Sequence, residues 1–275
     1  MVKYDGKNEF RRFPLIPMKM QHIGIIGCGA LGEALLTTLQ KKSLGKIIVS
    51  ARSASRLNNL KRRYNVEVTN DNLYLVQCSR EIYLCVKPTQ AESVCNELKD
   101  WLRSDTIVIS AMAGVPVKSI VSWLNHANVL KIMPTITLDK NGPIAVTGHQ
   151  STQHNLPKES LIYMTEKSVD LSTAISGCMP EFLAYILKEW IDVAVDKGME
   201  RKLAERLVLQ NFVSLAASQP RSIDDLDEIR RKVSSKGGAT EQGVEALKKS
   251  GLKEGLDAMI AAADNRVKQI SSIYE

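Results

Sequence analysis

The chain has 275 residues, 44% apolar and 24% charged, with a formal net charge of +7. That is a globular composition, long enough for one or two domains, and no window approaches the ~20 apolar residues of a membrane helix. Five cysteines without a CxxC pair argue against a secreted disulfide scaffold and predict a reducing, cytoplasmic compartment. The four histidines (His22, His126, His149 and His154) lie at no zinc-ligand spacing, so no metal is expected. The basic excess is local. Residues 1–21 hold five basic and two acidic side chains, and residues 51–66 hold five basic and no acidic ones; the rest of the chain nets −1. No basic stripe of the kind that tracks nucleic acid results.

Residues 1–21 show no periodicity, and their apolar run from Phe13 to Met18 is too short and proline-rich for a signal-peptide core. They read as a tail or extension. From His22 onward strands and helices alternate. Strands are expected at 23–26, 46–49, 82–86, 106–110, 129–133 and 144–146, and helices at 30–41 and 53–64, the second with Ser53 as N-cap. This alternation predicts an α/β fold: a doubly wound, mostly parallel sheet covered on both faces. After about Leu171 the strand signals stop. Helices are expected at 180–198, 201–218, 223–233, 241–250 and 253–270. Pro180 and Gly198 bound the first of them, and Ser222 and Asp225 stand at capping-box spacing. The domain reading is therefore a tail at 1–21, a Rossmann-like dinucleotide-binding domain at 22–172 and an all-helical domain at 173–275.

Four motifs bear on chemistry. Gly27-Cys28-Gly29-Ala30-Leu31-Gly32 is a GxGxxG pattern that follows the Ile26 strand end and opens a helix, the context that predicts dinucleotide binding. Gly27 permits the tight turn, Gly29 lets a pyrophosphate approach the backbone, and Gly32 lets helix and strand pack closely. Cys28 reads as a small residue and not as a nucleophile. At the end of the second strand, Ser50-Ala51-Arg52-Ser53 lacks the acid that holds ribose hydroxyls in NAD-binding folds. Arg52 there can pair with a 2′-phosphate, which favours NADP(H). The nearby Lys61-Arg62-Arg63 reads as a solvated helix face. The turns Val86-Lys87-Pro88 and Ala111-Met112-Ala113 follow two further strands, where doubly wound sheets place ligands. Finally, Ser234-Ser235-Lys236-Gly237-Gly238-Ala239-Thr240 lies between two helices and offers a nest of N–H donors of carboxylate size. No GxSxG elbow, HExxH, P-loop or paired histidine acid is present.

Together these residues resemble the pyrroline-5-carboxylate reductase family over roughly 22–270. The pieces that carry the resemblance are Ile23–Gly29, Val86-Lys87-Pro88, Ala113-Gly114-Val115, Met133-Pro134, Ser176-Gly177 with Pro180, and above all Ser234–Thr240. The resemblance implies a Rossmann domain joined to a helical domain that forms interlocked homodimers, often within larger rings. It also implies NADPH-dependent reduction of a cyclic imine acid to proline, with hydride passing from nicotinamide C4 to ring C5. By position, Ile26, Gly27, Cys28, Gly29, Ala30, Leu31 and Gly32 take the pyrophosphate, and Ser50 and Arg52 the 2′-phosphate. Asn72 falls near the adenine ribose; Val86, Lys87, Pro88, Ala111, Met112 and Ala113 line the nicotinamide side. Ser235, Gly237, Gly238, Ala239 and Thr240 take the substrate, and the Thr240 hydroxyl faces its ring nitrogen. Partners are then a small imino acid and a second copy of the chain, with no nucleic acid and no membrane.

The sequence also departs from the family pattern. Thr135-Ile136-Thr137 follows Met133-Pro134 in place of Asn-Thr-Pro, Lys236 replaces a proline, and Glu241 replaces an apolar residue beside the proposed carboxylate site. The Pro-Thr-Ile-Thr stretch is similar to a late-competence paralogue branch. Two other readings compete: a dinucleotide-binding regulatory paralogue without turnover, and a β-hydroxyacid dehydrogenase type using Lys188.

Overall fold

The computed structural model describes residues 22–42, 45–148 and 153–274. The expected tail at 1–21 and His149 lie outside the described residues. The chain forms two compact units. Among the described residues the first takes 22–112, 117–131 and 153–159, and the second takes 113–116, 132–148 and 160–274. The units thus interleave along the chain and are not separated by one cut after residue 172.

In the first unit, β1 (His22–Ile26) is buried along its whole length, as a strand covered on both faces must be. It is followed by α1 (Ala30–Lys42), β2 (Ile47–Ser50), α2 (Ala54–Tyr64), β3 (Glu67–Thr69), α3 (Asn72–Cys78), β4 (Ser79–Leu84), α4 (Ala91–Leu98), β5 (Ile107–Ser110), α5 (Val117–Leu124) and β6 (Val129–Pro134). Strands β1 to β6 pair in parallel in the order β3-β2-β1-β4-β5-β6, with Ile25 between Val49 and Tyr83. The direction of winding reverses between β1 and β4. The carboxyl ends of those two strands therefore open a crevice where connections leave to opposite sides.

Local chemistry fixes the elements around that crevice. Ser53 caps α2 by accepting the Arg56 N–H, and left-handed Asn65 closes its other end. Asp71 caps α3 by accepting the Leu73 and Tyr74 N–H groups, which sets Asn72 as its first residue. The expected strands and helices of this unit are all present, with ends shifted by up to three residues. β3, α3, α4 and α5 are not among the expected elements: a three-residue strand carries too little alternation to be read, and the three helices have only 7 or 8 residues.

In the second unit, the end of β6 pairs antiparallel with β7 (Ile144–Val146), which pairs in parallel with β8 (Leu161–Tyr163). Then come α6 (Glu166–Ser172), a π-helical turn (Thr173–Gly177), α7 (Met179–Asp196), α8 (Arg201–Ala217), α9 (Ile223–Val233), α10 (Ala239–Lys249) and α11 (Leu252–Ser271). β8 and α6 were also not expected. The Ser222–Asp225 capping box is formed in both directions. Met133, Ala145 and Val169 make a small buried cluster, with Ala113 and Met164 against it. The helices beyond it bury little: Ile191 in α7, Ala204 in α8 and Val267 in α11, and no residue of α9 or α10. Trp190 and Val213 are 65% and 63% exposed. Apolar helix faces of this kind call for cover by another surface. Among the described residues no helix is long and apolar enough to cross a membrane, and no group of side chains could hold a metal ion.

Candidate active site

The turn after β1 carries the first part of the site. Gly27 has φ +89°, and a Cβ there would sit 2.7 Å from Val86 Cγ1 and 2.8 Å from the Val86 nitrogen. Only glycine fits. The N–H groups of Gly27 and Cys28 both donate to the Ser50 carbonyl, at 3.1 and 3.2 Å, tying the loop to the end of β2. A Cβ on Gly32 would lie 2.9 Å from the Gly27 oxygen, so this glycine serves packing. Gly29 differs: a Cβ there would meet nothing within 4 Å. The need for glycine at Gly29 thus comes from no neighbour in the chain, and its backbone is open to an approaching group. The first helical bond of α1 runs from Glu33 N–H to the Gly29 carbonyl (2.9 Å). The N–H groups of Ala30, Leu31 and Gly32 precede it and have no partner within the helix, which makes them donors for an anion.

This loop borders a cleft of about 900 Å³. Its walls are Ile26 to Gly29, Ser50 to Ser53 with Arg56, Asn70 and Asn72, Cys85 to Lys87, and a stripe of Thr89, Gln90, Ser93, Val94 and Glu97. Of the residues singled out from the sequence, Ile26, Gly27, Cys28, Gly29, Ser50, Arg52, Asn72, Val86 and Lys87 come together here. Ala30, Leu31 and Gly32, at the start of α1, do not line it themselves. Pro88, Ala111 and Met112 do not line the cleft. Pro88 opens a short 3-10 turn, and Ala111 and Met112 are buried just past β5, where the Ala111 N–H still donates to Leu84 of β4. Ala113 belongs to the other unit, against Met133 and Ala145.

The basic residues of this region divide by what they already hold. Arg56 donates to the Cys28 carbonyl (3.0 Å) and the Gly29 carbonyl (3.3 Å) and pairs with Glu33. Arg63 (2.7 Å) and the Tyr64 hydroxyl reach the same carboxylate. The Tyr64 hydrogen bond, with the two arginines, holds the Glu33 carboxyl below its ordinary range. This cluster braces the glycine loop, so Arg63 is not merely solvated as the sequence suggests. Arg52, by contrast, is exposed and makes no ion pair or hydrogen bond among the described residues. Like Lys87 of the same cleft, it is a cation open to a ligand. Cys28 is 2% exposed and burial pushes its thiol up to about 12, so it is no nucleophile. Asn72 is held at both ends: its Oδ1 accepts from Ser50 Oγ (2.7 Å) and its Nδ2 donates to Glu97 Oε2 (3.2 Å).

The second unit holds the other motif. Ser235-Lys236-Gly237-Gly238 is a turn closed by the Gly238 N–H on the Ser235 carbonyl (3.0 Å). Gly237 at its third position has φ +73°, as a type II turn requires. Lys236 takes the second position, where proline is favoured. A Cβ on Gly238 would lie 2.4 Å from Ser235 Oγ, so a side chain there would make the Ser235 hydroxyl rotate away. Gly238 is the N-cap of α10 and its carbonyl accepts from Gln242 (3.2 Å). The N–H groups of Ala239, Thr240 and Glu241 thus stand ahead of the first helical bond. The Thr240 side chain is exposed and makes no hydrogen bond among the described residues. Glu241 folds back so that its carboxylate accepts the Gly237 N–H at 2.7 Å. Lys188 on α7 is exposed and paired with Asp192 (2.7 Å), the arrangement of a surface ion pair.

Comparison with known proteins follows the same division. Residues 166–270 match the family model described as pyrroline-5-carboxylate reductase dimerisation. Residues 22–114 match the one described as NADP oxidoreductase, coenzyme F420-dependent. A pyrroline-5-carboxylate reductase from Methanosarcina acetivorans is 28% identical over 92% of this chain and 99% of its own. The chain is thus similar to pyrroline-5-carboxylate reductases along nearly its whole length. One from Synechocystis sp. is 28% identical over 90% of this chain and 97% of its own. The crystal structure of a pyrroline-5-carboxylate reductase from Coxiella burnetii superposes with a TM-score of 0.79 at 25% identity, covering 92% of this chain and 99% of that one. The Plasmodium falciparum pyrroline carboxylate reductase structure with NADP bound gives 0.77 at 22% identity, covering 92% and 98%.

Sequence reasoning missed the helical wall of the cleft. Gln90, Ser93, Val94 and Glu97 are spaced i, i+3, i+4 and i+7, one face of α4 and the residue before it. That polar stripe was the available signal. Arg56 had none beyond its charge, because its partners, the Glu33 carboxylate and two backbone carbonyls, lie 23 to 28 residues away.

Proposed function

We propose that the chain reduces the cyclic imine pyrroline-5-carboxylate to proline with NADPH, as a homodimer built through its helical domain. The observation that carries the substrate half is the Ser234–Thr240 loop, folded as a glycine turn running into a helix start with the Ala239 and Thr240 N–H groups ahead of the first helical bond. Those donors suit the substrate carboxylate, and the uncommitted Thr240 hydroxyl suits its ring nitrogen. No strong protein acid is needed, because the protonated imine already carries the proton that ends on the product amine.

The first unit fits NADPH. The open backbone of Gly29 and the N–H groups of Ala30, Leu31 and Gly32 suit a pyrophosphate, and Arg52 suits a 2′-phosphate. Asn72 falls at the adenosine end, and Val86 and Lys87 at the opposite wall. When bound, NADPH supplies the hydride that saturates the imine carbon. The chain's own task is to hold both partners still and to place the ring nitrogen. The assignment of 22–172 to cofactor and 173–275 to dimerisation and substrate is supported by the two family matches. The exposed apolar faces of α7 and α8 support a second copy as their cover, and the five unpaired thiols suit a reducing cytoplasm.

The deciding experiment mixes purified protein with pyrroline-5-carboxylate and NADPH and follows absorbance of the reduced nicotinamide. Rapid oxidation, slower with NADH, is the expected result. NADPH binding without oxidation would overturn the reading in favour of a non-catalytic paralogue.

A further inference from the structure

The end of β2 lacks the carboxylate that recognises ribose hydroxyls in NAD-binding folds, yet the fold brings one there from elsewhere. Ser50, the last residue of β2, donates through Oγ to Asn72 Oδ1 at 2.7 Å, and Asn72 Nδ2 donates to Glu97 Oε2 at 3.2 Å. Ser50, Asn72 and Glu97 all line the cleft, and so does Arg52. Glu97 is exposed and has no cationic partner among the described residues. One amide group therefore separates the β2 end from a free carboxylate that is 47 positions further along the chain.

We propose that Glu97 is a specificity-determining residue of this cleft, setting how strongly the chain prefers NADPH to NADH. The inference rests on the dinucleotide reading above. The carboxylate opposes Arg52. It repels the 2′-phosphate of NADPH and accepts a hydrogen bond from the ribose hydroxyl of NADH, either directly or by orienting Asn72. Because Glu97 is exposed, solvent screens the effect and keeps it moderate.

The test measures dissociation constants of NADPH and NADH by titration of the full-length protein, for the native chain, Glu97→Gln and Glu97→Ala. Glutamine keeps an acceptor for Asn72 and removes only the charge. Its expected effect is a rise of about three- to fivefold in the preference for NADPH, mostly through tighter NADPH binding. Alanine removes the acceptor as well, so the same change in preference is expected with both dinucleotides bound more weakly. A preference unchanged in Glu97→Gln, or both constants moving by one common factor, would overturn the proposal while leaving the reductase reading intact. If the native protein bound neither dinucleotide, it is that underlying reading which would fail.

Discussion

The Glu241 carboxylate accepts the backbone N–H of Gly237 at 2.7 Å, inside the loop whose N–H groups suit the substrate carboxylate. An internal acid thus holds one donor of the nest and puts a negative charge beside the others. Replacing it by glutamine keeps an acceptor for Gly237 and removes the charge. Glu241→Gln is expected to lower KM for the imine by about two- to fivefold, the scale of an exposed charge interaction, with NADPH affinity unchanged. Initial rates at varied imine concentration check this; an unchanged or higher KM would show that the carboxylate serves only to hold the turn.

The Thr240 side chain makes no hydrogen bond among the described residues, so its removal strands no partner there. Thr240→Ala is expected to lower kcat by about tenfold or more, the scale of a lost hydrogen bond to a charged or reacting group, while the NADPH dissociation constant stays put. Steady-state kinetics beside a binding titration separates the two quantities. Equal turnover would remove Thr240 from the mechanism.

Two glycines of one loop should respond differently to alanine. At Gly29 a Cβ meets nothing within 4 Å, so Gly29→Ala keeps the melting temperature. It is expected to weaken NADPH binding by about tenfold, roughly 1.4 kcal/mol, by narrowing the approach to the backbone. At Gly27 the φ of +89° and the 2.7 Å approach to Val86 Cγ1 make alanine strained, and a loss of roughly 1–3 kcal/mol of stability is expected. Thermal melts and dinucleotide titrations of both variants test the division.

A buried polar cluster in the first unit predicts acid sensitivity. Glu81 is 5% exposed and accepts the Asn155 N–H (3.1 Å), the Asn155 side-chain amide (2.7 Å) and the Tyr83 hydroxyl. Beside it, both ring nitrogens of His154 are buried with no hydrogen-bond partner among the described residues. Burial lowers the His154 pKa below the ordinary 6.5, partly offset by Glu81. Between the lowered value and 6.5 the unfolded chain binds more protons than the folded one, so stability falls as pH drops through that window. Melting temperatures from pH ~7.5 to ~5.5 are expected to decline in the native chain and to decline less in His154→Gln, where no imidazole titrates. Parallel slopes in the two proteins would clear His154 of the effect.

Much of the site could be read from local sequence because the chain supplies it locally. Gly27, Gly29 and Gly32 lie within one turn, and Ser50 and Arg52 end the next strand but one element away. The Ser235–Thr240 loop is likewise continuous, and its turn geometry follows from where its glycines fall. Pro88, Ala111 and Met112 were placed on the cleft by position after a strand, but the sheet ladder runs on past β5 and buries the last two. The helical wall carrying Glu97 went unread, because a polar stripe on a short helix looks the same facing a ligand or facing water.

By itself the sequence determined the alternation of strand and helix, the dinucleotide turn and the donor-rich loop, since each depends on φ preferences, capping and periodicity among near neighbours. Tertiary structure alone decided which charges are free. It tied Arg56 and Arg63 to Glu33, left Arg52 open, and brought Glu97 to the end of β2 through Asn72. The physical reason is that electrostatic partnership depends on distance in space, and parallel strand order sets those distances across separations that no local pattern records.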